Sequence, residues 1–461
     1  MGPRGTGLYS LLLQVHALAL AIATLGGGAQ NSIVRGIAAH RFVDDRRIFL
    51  ETAISILLIT SVVATVSLFA LGAWFARVAS EKAHFFSIGL TRLMVLSVFA
   101  GVCASILLAV INGFGEMRAL ARISTINSVA SLGLVFPAVY FAKLDYPIVF
   151  VAMIAVALGL QAFCAGILVL HKGWLDGVKL FRFSKGAGKD FIGLAGATFL
   201  TGLTAQGGAL LLQAWILRSF GFEAIGILNA ALAISTGYPM LLLNSITAYY
   251  LPALSGSLNE GDAKLLIRNM YRFALVAGIP LVTFVIAFQS LIVTTLYSPR
   301  FIAATTILRW MLIGGLLKTI SWIFAMPVTA RRELGLLVIS EVAFNVLYVG
   351  AAISFSTRFH SLQVVGICYL AAYTVYLCCY VFYVNSRYPH VISAEEVITG
   401  IAGIAVVVFA SCVLWNRTTV SLYGVLLLIL ALLGSWRVLS SGERAKVCEA
   451  VVLRFRRSTT G

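Results

Sequence analysis

The sequence predicts an all-α, polytopic membrane protein of two pseudo-symmetric helical lobes with about thirteen transmembrane helices. Three observations predict it. Of 461 residues, 60% are hydrophobic and only 11% charged, a balance outside the range of soluble domains. The apolar residues form continuous runs of about 20, enough for a helix to cross the hydrocarbon core, and they do not alternate in polarity as barrel strands do. Two short stretches also recur at a nearly constant spacing. Because the apolar character continues to residue 438, a cleaved leader does not account for it.

In chain order the expected helices run near 7–25, 49–77, 86–112, 119–142, 147–171, 191–217, 224–251, 270–297, 303–330, 334–355, 362–386, 393–415 and 419–436. Prolines inside four of them (Pro137, Pro239, Pro280, Pro327) would kink a helix whose freed carbonyls a neighbour or water can satisfy. The seven cysteines lack CxxC spacing and sit mostly in apolar runs, so they read as small packing residues.

Most of the 34 Lys and Arg fall in the loops after the first, third, fifth, seventh, ninth and eleventh helices and in the C-terminal tail with Arg454, Arg456 and Arg457. Positively charged loops stay in the cytoplasm, so these are assigned to the inside and the N-terminus to the outside.

The stretch "GPRGTGLYS" at 2–10 is echoed by "GFEAIGILN" at 221–229, with Gly2 matching Gly221 and Gly7 matching Gly226 at an offset of 219. Arg92 and Glu116 match Arg309 and Glu333 at an offset of 217. Helices one to five then correspond to seven to eleven, and the sixth has no partner. The chain therefore reads as two six-helix repeats entered one helix late, the first helix of the N-terminal lobe being missing; a natural thirteen-helix protein is the alternative. The expected organisation is an N-terminal lobe (1–171), a basic cytoplasmic linker (172–190), a C-terminal lobe (191–387), two extra helices (388–438) and a basic cytoplasmic tail (439–461).

"GFEAIGILNAALAIS", "LNSITAYYLPALSGSLNEGD" and "LYSPRFIAATTILRWMLIGGLLKTISWIFAMPVTAR" resemble bacterial polysaccharide flippases of the O-antigen and lipid III (Wzx) type, within the multidrug/oligosaccharidyl-lipid/polysaccharide (MOP) exporter superfamily. The likeness spans roughly residues 2–390. It implies translocation of a polyprenyl-diphosphate-linked oligosaccharide across the bacterial cytoplasmic (inner) membrane by alternating access, for O-antigen or exopolysaccharide synthesis. The partners it implies are the glycan lipid, membrane lipids and other polysaccharide-assembly proteins. No nucleic acid, metal or cofactor is expected. Cavity residues that the family would place on that first helix cannot be carried over to this sequence.

Independently of that likeness, ionisable residues inside a membrane are costly and mark pathways or pairs. Arg92, Arg309 and Lys318 lie within helices, Lys318 nine residues beyond Arg309 and close to mid-membrane. Lining a watery cavity, they would attract a diphosphate, arginine by forked hydrogen bonds and lysine as a point charge. The competing readings are snorkelling of Arg92 and Arg309 to the interface, and an ion pair between Lys318 and Glu341 on the next helix. Gln206, Gln213 and Asn244 are candidates to hydrogen-bond the sugars. The Ser and Thr around them, such as Thr198, Thr201, Thr204, Ser235 and Thr236, read as interhelical packing.

Enzyme readings fail on residues. "SKGAGKD" at 184–190 lacks the first glycine of a phosphate loop, where Phe183 stands, and its Ser or Thr, where Asp190 stands. The six histidines are scattered, so neither a metal site nor a catalytic triad forms. Two further readings remain. One is a cation-coupled drug or metabolite exporter of the same superfamily, which should bury an acid in the first half. The other is a non-transporting scaffold in a polysaccharide synthesis complex.

Overall fold

The computed structural model describes residues 2–39, 43–78, 88–142, 148–179, 181–256, 260–331, 333–389, 391–413 and 422–438. Among them the chain is helical with no strand, as a bilayer demands of backbone groups that find no water. The helices are α1 (Pro3–Ala23), α2 (Gly28–Ala39), α3 (Val43–Val78), α4 (Ile88–Gly113), α5 (Met117–Ala142), α6 (Ile148–His171) and α7 (Lys185–Gly256). They continue with α8 (Glu260–Ala287), α9 (Gln289–Leu296), a 3-10 turn (Pro299–Phe301), α10 (Ala304–Ala330), α11 (Leu334–Phe359), α12 (Gln363–Arg387), α13 (Ala394–Val413) and α14 (Leu422–Val438).

Among the described residues eleven stretches are long and apolar enough to cross a membrane. Two of the thirteen expected helices follow one another through Thr198–Gly237 with a single kink between them, and the last, Tyr423–Arg437, is a shorter apolar helix. The kink is a single residue. Where the sequence suggests a turn at 218–223, helical geometry breaks only at Gly221, with φ 84° and ψ −179°. That combination is open essentially to glycine alone.

The segment expected as a basic loop after the first helix is instead largely helix. In α2, Ala29, Ile33 and Ile37 recur at helical spacing and are buried, packing on α3 and α4 while Arg35 stays exposed. Leu25, Gly26 and Gly27 make the elbow between α1 and α2, all with positive φ. A Cβ on Gly26 would collide with the Thr198 carbonyl, and one on Gly202 would stand 2.6 Å from the Gly26 Cα. The elbow and the first arm of α7 thus touch backbone to backbone.

Contacts group the chain into two compact units, Met1–Gly226 with Val338–Val349, and Ile227–Leu337 with the remainder. The division therefore falls near Gly226, whereas the sequence places it at the linker 172–190. Its physical basis is what the first arm of α7 touches: the elbow, the Gln14 side chain, and Ser32, whose hydroxyl donates to the Phe191 carbonyl at 3.3 Å.

Packing follows the internal repeat. In the first unit α4 lies along α6 and α3 packs on α4; in the second, α10 lies along α12 and α8 packs on α10. The matching glycines Gly7 and Gly226 meet directly. A Cβ on Gly7 would strike the Phe222 carbonyl, and one on Gly226 would strike the Pro3 carbonyl; the two contacts are equivalent under the 219-residue offset. Small residues permit such an approach where apolar side chains would hold two helices 8–10 Å apart.

Gly221→Ala should lower stability by about 1–3 kcal/mol, the cost of forcing an alanine into that conformation. Gly207 is helical with nothing within 4 Å of an added Cβ, so Gly207→Ala should be neutral or slightly stabilising. Thermal unfolding in detergent compares the two; equal loss in both variants would contradict the assignment of Gly221 as the break.

Candidate functional site

Arg92 is the fifth residue of α4, about 6 Å inside the start of the helix. It heads a groove of about 260 Å³ between α3 and α4, lined also by Ser61, Thr65, Val95, Leu96, Val98 and Phe99. The Arg92 side chain is exposed and has no ion pair or hydrogen bond among the described residues. Ser61 and Thr65 donate their hydroxyl protons to the Leu57 and Ser61 carbonyls of their own helix, at 2.6 and 2.9 Å. Arg92 is then the one charged donor of a largely apolar groove. Such an arrangement suits an amphiphile with an anionic head.

Its counterpart in the second unit has a different setting. Arg309 is 2% exposed, and its Nε donates to the Thr305 carbonyl at 3.3 Å. The extra helix α13 packs on α10 and brings Cys412 within electrostatic reach of the guanidinium.

Lys318 lies midway along α10, with its Nζ 5.8 Å from the ring centre of Tyr373. Tyr373 belongs to a buried ladder on α12, in which Tyr369–Tyr373, Tyr373–Tyr376 and Tyr376–Tyr380 have ring centroids 4.8, 6.1 and 4.8 Å apart. An ammonium over an aromatic face is attracted by the ring quadrupole, more strongly where water is excluded. At the end of the same helix Tyr383 donates to Glu333, which also pairs with Arg387 at 3.6 Å. The ladder was legible as tyrosines at helical spacing, yet the sequence reading singles out only Lys318.

The polar candidates divide. Gln206 accepts a bond from Gln14 Nε2 at 2.8 Å, and the same nitrogen reaches the Gln206 carbonyl at 3.0 Å, joining α1 to α7. Gln213 is buried, 4% exposed. The Asn244 side chain lies outside the described residues. Glu341 sits in the part of α11 that groups with the first unit, and its carbonyl accepts from Asn345 at 2.8 Å. Thr198, Thr201, Thr204, Ser235 and Thr236 each donate to a carbonyl of their own helix, three or four residues back. That is how hydroxyls survive in an apolar medium.

One charge escapes the sequence reading altogether. Glu51, in the first half of the chain, is a carboxylate 1% exposed. It corrects the expectation that the embedded charges are three cations and Glu341. Arg47 at 3.4 Å and Arg182 at 3.8 Å neutralise it, and the Lys179 N–H donates to it at 2.9 Å. A buried acid with these partners has no charge to offer a transported cation.

The Lys318–Tyr373 contact predicts a coupling energy. In a double-mutant cycle of Lys318→Met and Tyr373→Leu, unfolding in detergent should give about 0.5–2 kcal/mol of interaction. Strict additivity would show that the two side chains do not interact.

No protein-family model matches the chain. The lipid III flippase of Escherichia coli (strain K12) is 23% identical to it over 304 residues, 64% of this chain and 70% of the flippase, and that of Shigella flexneri gives the same figures. Among solved structures, an inward-facing multidrug resistance MATE family transporter of the MOP superfamily matches with TM-score 0.72 and 17% identity, over 85% of this chain and 92% of the transporter. The lipid II flippase MurJ in an inward closed conformation matches with TM-score 0.70 and 14% identity, over 95% of this chain and 96% of MurJ. All of these are transporters or flippases rather than enzymes. The chain is therefore a multi-pass membrane protein with the two-lobed fold of the MOP exporter superfamily, as the resemblance in its residues implies.

Proposed function

We propose that the chain translocates a polyprenyl-diphosphate-linked oligosaccharide from the inner to the outer leaflet of a bacterial cytoplasmic membrane, for O-antigen, exopolysaccharide or a related surface glycan. The observation that carries this reading is the sign of the embedded charge: Arg92, Arg309 and Lys318 are cations within helices, and the buried acid of the first half, Glu51, is neutralised by Arg47 and Arg182. The sequence likeness to lipid III flippases points to the same class of cargo.

A diphosphate leaving water needs donors to replace its hydration. Arg92, exposed at the head of its groove, offers a planar fork that can bridge two phosphate oxygens. Lys318 supplies a point charge halfway along its helix, its orientation set by the Tyr373 ring. Arg309, buried on α10, acts through the positive potential it adds to that helix. The polyprenyl tail needs no donors and can remain in lipid while the head group crosses. Gln213 and Asn244 serve as hydrogen-bonding partners for the sugars, and Gln206 fixes α7 to α1 through Gln14. Chemistry on the cargo is not required, only two alternately accessible states with comparable affinity for it.

Deleting the gene should cause lipid-linked oligosaccharide to accumulate on the cytoplasmic face and surface glycan to be lost, with the wild-type gene restoring both. Arg92→Ala and Lys318→Ala should fail to restore surface glycan at normal protein abundance. Each charged hydrogen bond lost weakens head-group binding by about 1.5–3 kcal/mol, roughly tenfold to more than a hundredfold. Full glycan export by both variants would overturn the assignment of these cations to the cargo.

A further inference from the structure

The stretch 172–184 between α6 and α7 has no part in the translocation proposed above, yet it is tied down at both ends. Trp174 stacks on Phe114 at the end of α4, with centroids 4.6 Å apart and planes within 7°, and Lys172 pairs with Glu116 at 3.4 Å. From Lys179 onward the chain lies on α3. The Lys179 N–H donates to Glu51 at 2.9 Å, the Phe181 N–H to Ser55 Oγ at 2.9 Å, and the Ser184 N–H to Thr52 Oγ1 at 3.1 Å. Gly177, at φ 73°, brings the strap so close to Arg47 that a Cβ there would stand 2.8 Å from the guanidinium carbon. Phe181 itself holds φ 61°, which bulky residues rarely adopt.

With its backbone bonded to α3 and Arg182 reaching back to Glu51, the strap presents its phenylalanines and lysines outward. Phe181 is 67% exposed and Phe183 55%, and Lys179, Arg182, Lys185 and Lys189 are exposed around them. A soluble surface has no use for two exposed phenylalanines fixed in place. This strap lies where α6 ends at His171 and within reach of the first turns of α3, level with the ends of the membrane spans and on the face where basic loops collect. Aromatic rings beside cations at that depth match the boundary between headgroups and acyl chains, rings below and charges at the phosphates.

We propose that residues 179 and 181–189 form a docking surface for anionic phospholipid, with Phe181 and Phe183 entering the interface and Lys179, Lys185 and Lys189 meeting the headgroup phosphates, while Arg182 stays with Glu51. The Glu51 carboxylate is then the inner anchor of the strap and the lipid its outer one, and together they fix the start of α7 against α3. The inference rests on the strap alone and stands whatever the cargo is.

The test uses the full chain in nanodiscs containing photoactivatable phosphatidylglycerol or phosphatidylcholine, with cross-links mapped by mass spectrometry. Phosphatidylglycerol should label 179–189 at least about fivefold more than phosphatidylcholine, the factor a single Lys or Arg near an anionic surface supplies. Replacing Lys179, Lys185 and Lys189 by Gln should abolish that preference, and Phe181→Ser with Phe183→Ser should reduce labelling by both lipids. Unchanged labelling of the other peptides certifies that each variant is folded in the bilayer. Equal labelling by the two lipids overturns the proposal. So does a strap that neither lipid labels while the other peptides are labelled, an outcome that assigns the surface to a protein partner.

Discussion

Hydrocarbon offers no hydrogen bonds, and this constraint organises the rest of the structure. Every described element is helix or connecting turn because a helix bonds its own backbone. Hydroxyls along the spans bond back to their own helix for the same reason, as Thr198, Thr204, Thr236, Thr283 and Ser321 do. Charges follow the rule too. Glu51 is wrapped by two arginines and a backbone N–H, and Lys318 leans on a tyrosine face. Arg92, exposed in its groove, stands apart from this pattern of internal satisfaction, which is why the proposed cargo contact is placed there.

Without a hydrophobic drive between helices in lipid, close approach has to come from small residues. Glycine supplies it at two places with different geometry. At Gly7 and Gly226 the helices stay regular and the absence of a side chain lets two backbones touch. At Gly221 the absence of a side chain instead permits a conformation that ends one helix and begins the next within a single residue. The two devices lie five residues apart, so the point where α7 changes direction is also near the point where it meets α1. The linker, the elbow and the first arm of α7 are consequently bound into one unit, although that arm follows the linker in sequence.

Much of this was legible in the sequence, and the limits of legibility are physical. Long apolar runs predict membrane helices because length and hydropathy are local properties, and the glycine echo survived in the sequence because no other residue fits the contact. The helix α2 escaped notice because its apolar face is only three residues long and basic neighbours mask it. Gly221 escaped because composition cannot tell a six-residue turn from a one-residue break. Glu51 escaped although Arg47 stands one helical turn before it, because its burial comes from the strap with Arg182, far along the chain, and pairing at that distance leaves no pattern. The difference between Arg92 and Arg309 was hidden for a related reason: a repeat predicts equivalent positions but not equivalent burial, and only Arg309 is buried.

The central claim is that cations held in an apolar scaffold make this a carrier of diphosphate-linked lipid. Its most direct test is transbilayer movement in proteoliposomes, reading the appearance of a polyprenyl-diphosphate oligosaccharide on the face accessible to an added lectin. The account predicts that the purified chain accelerates this movement and that Arg92→Ala, equally reconstituted, does not. No acceleration by the wild-type chain, together with transport of an organic cation by the same vesicles, would contradict it.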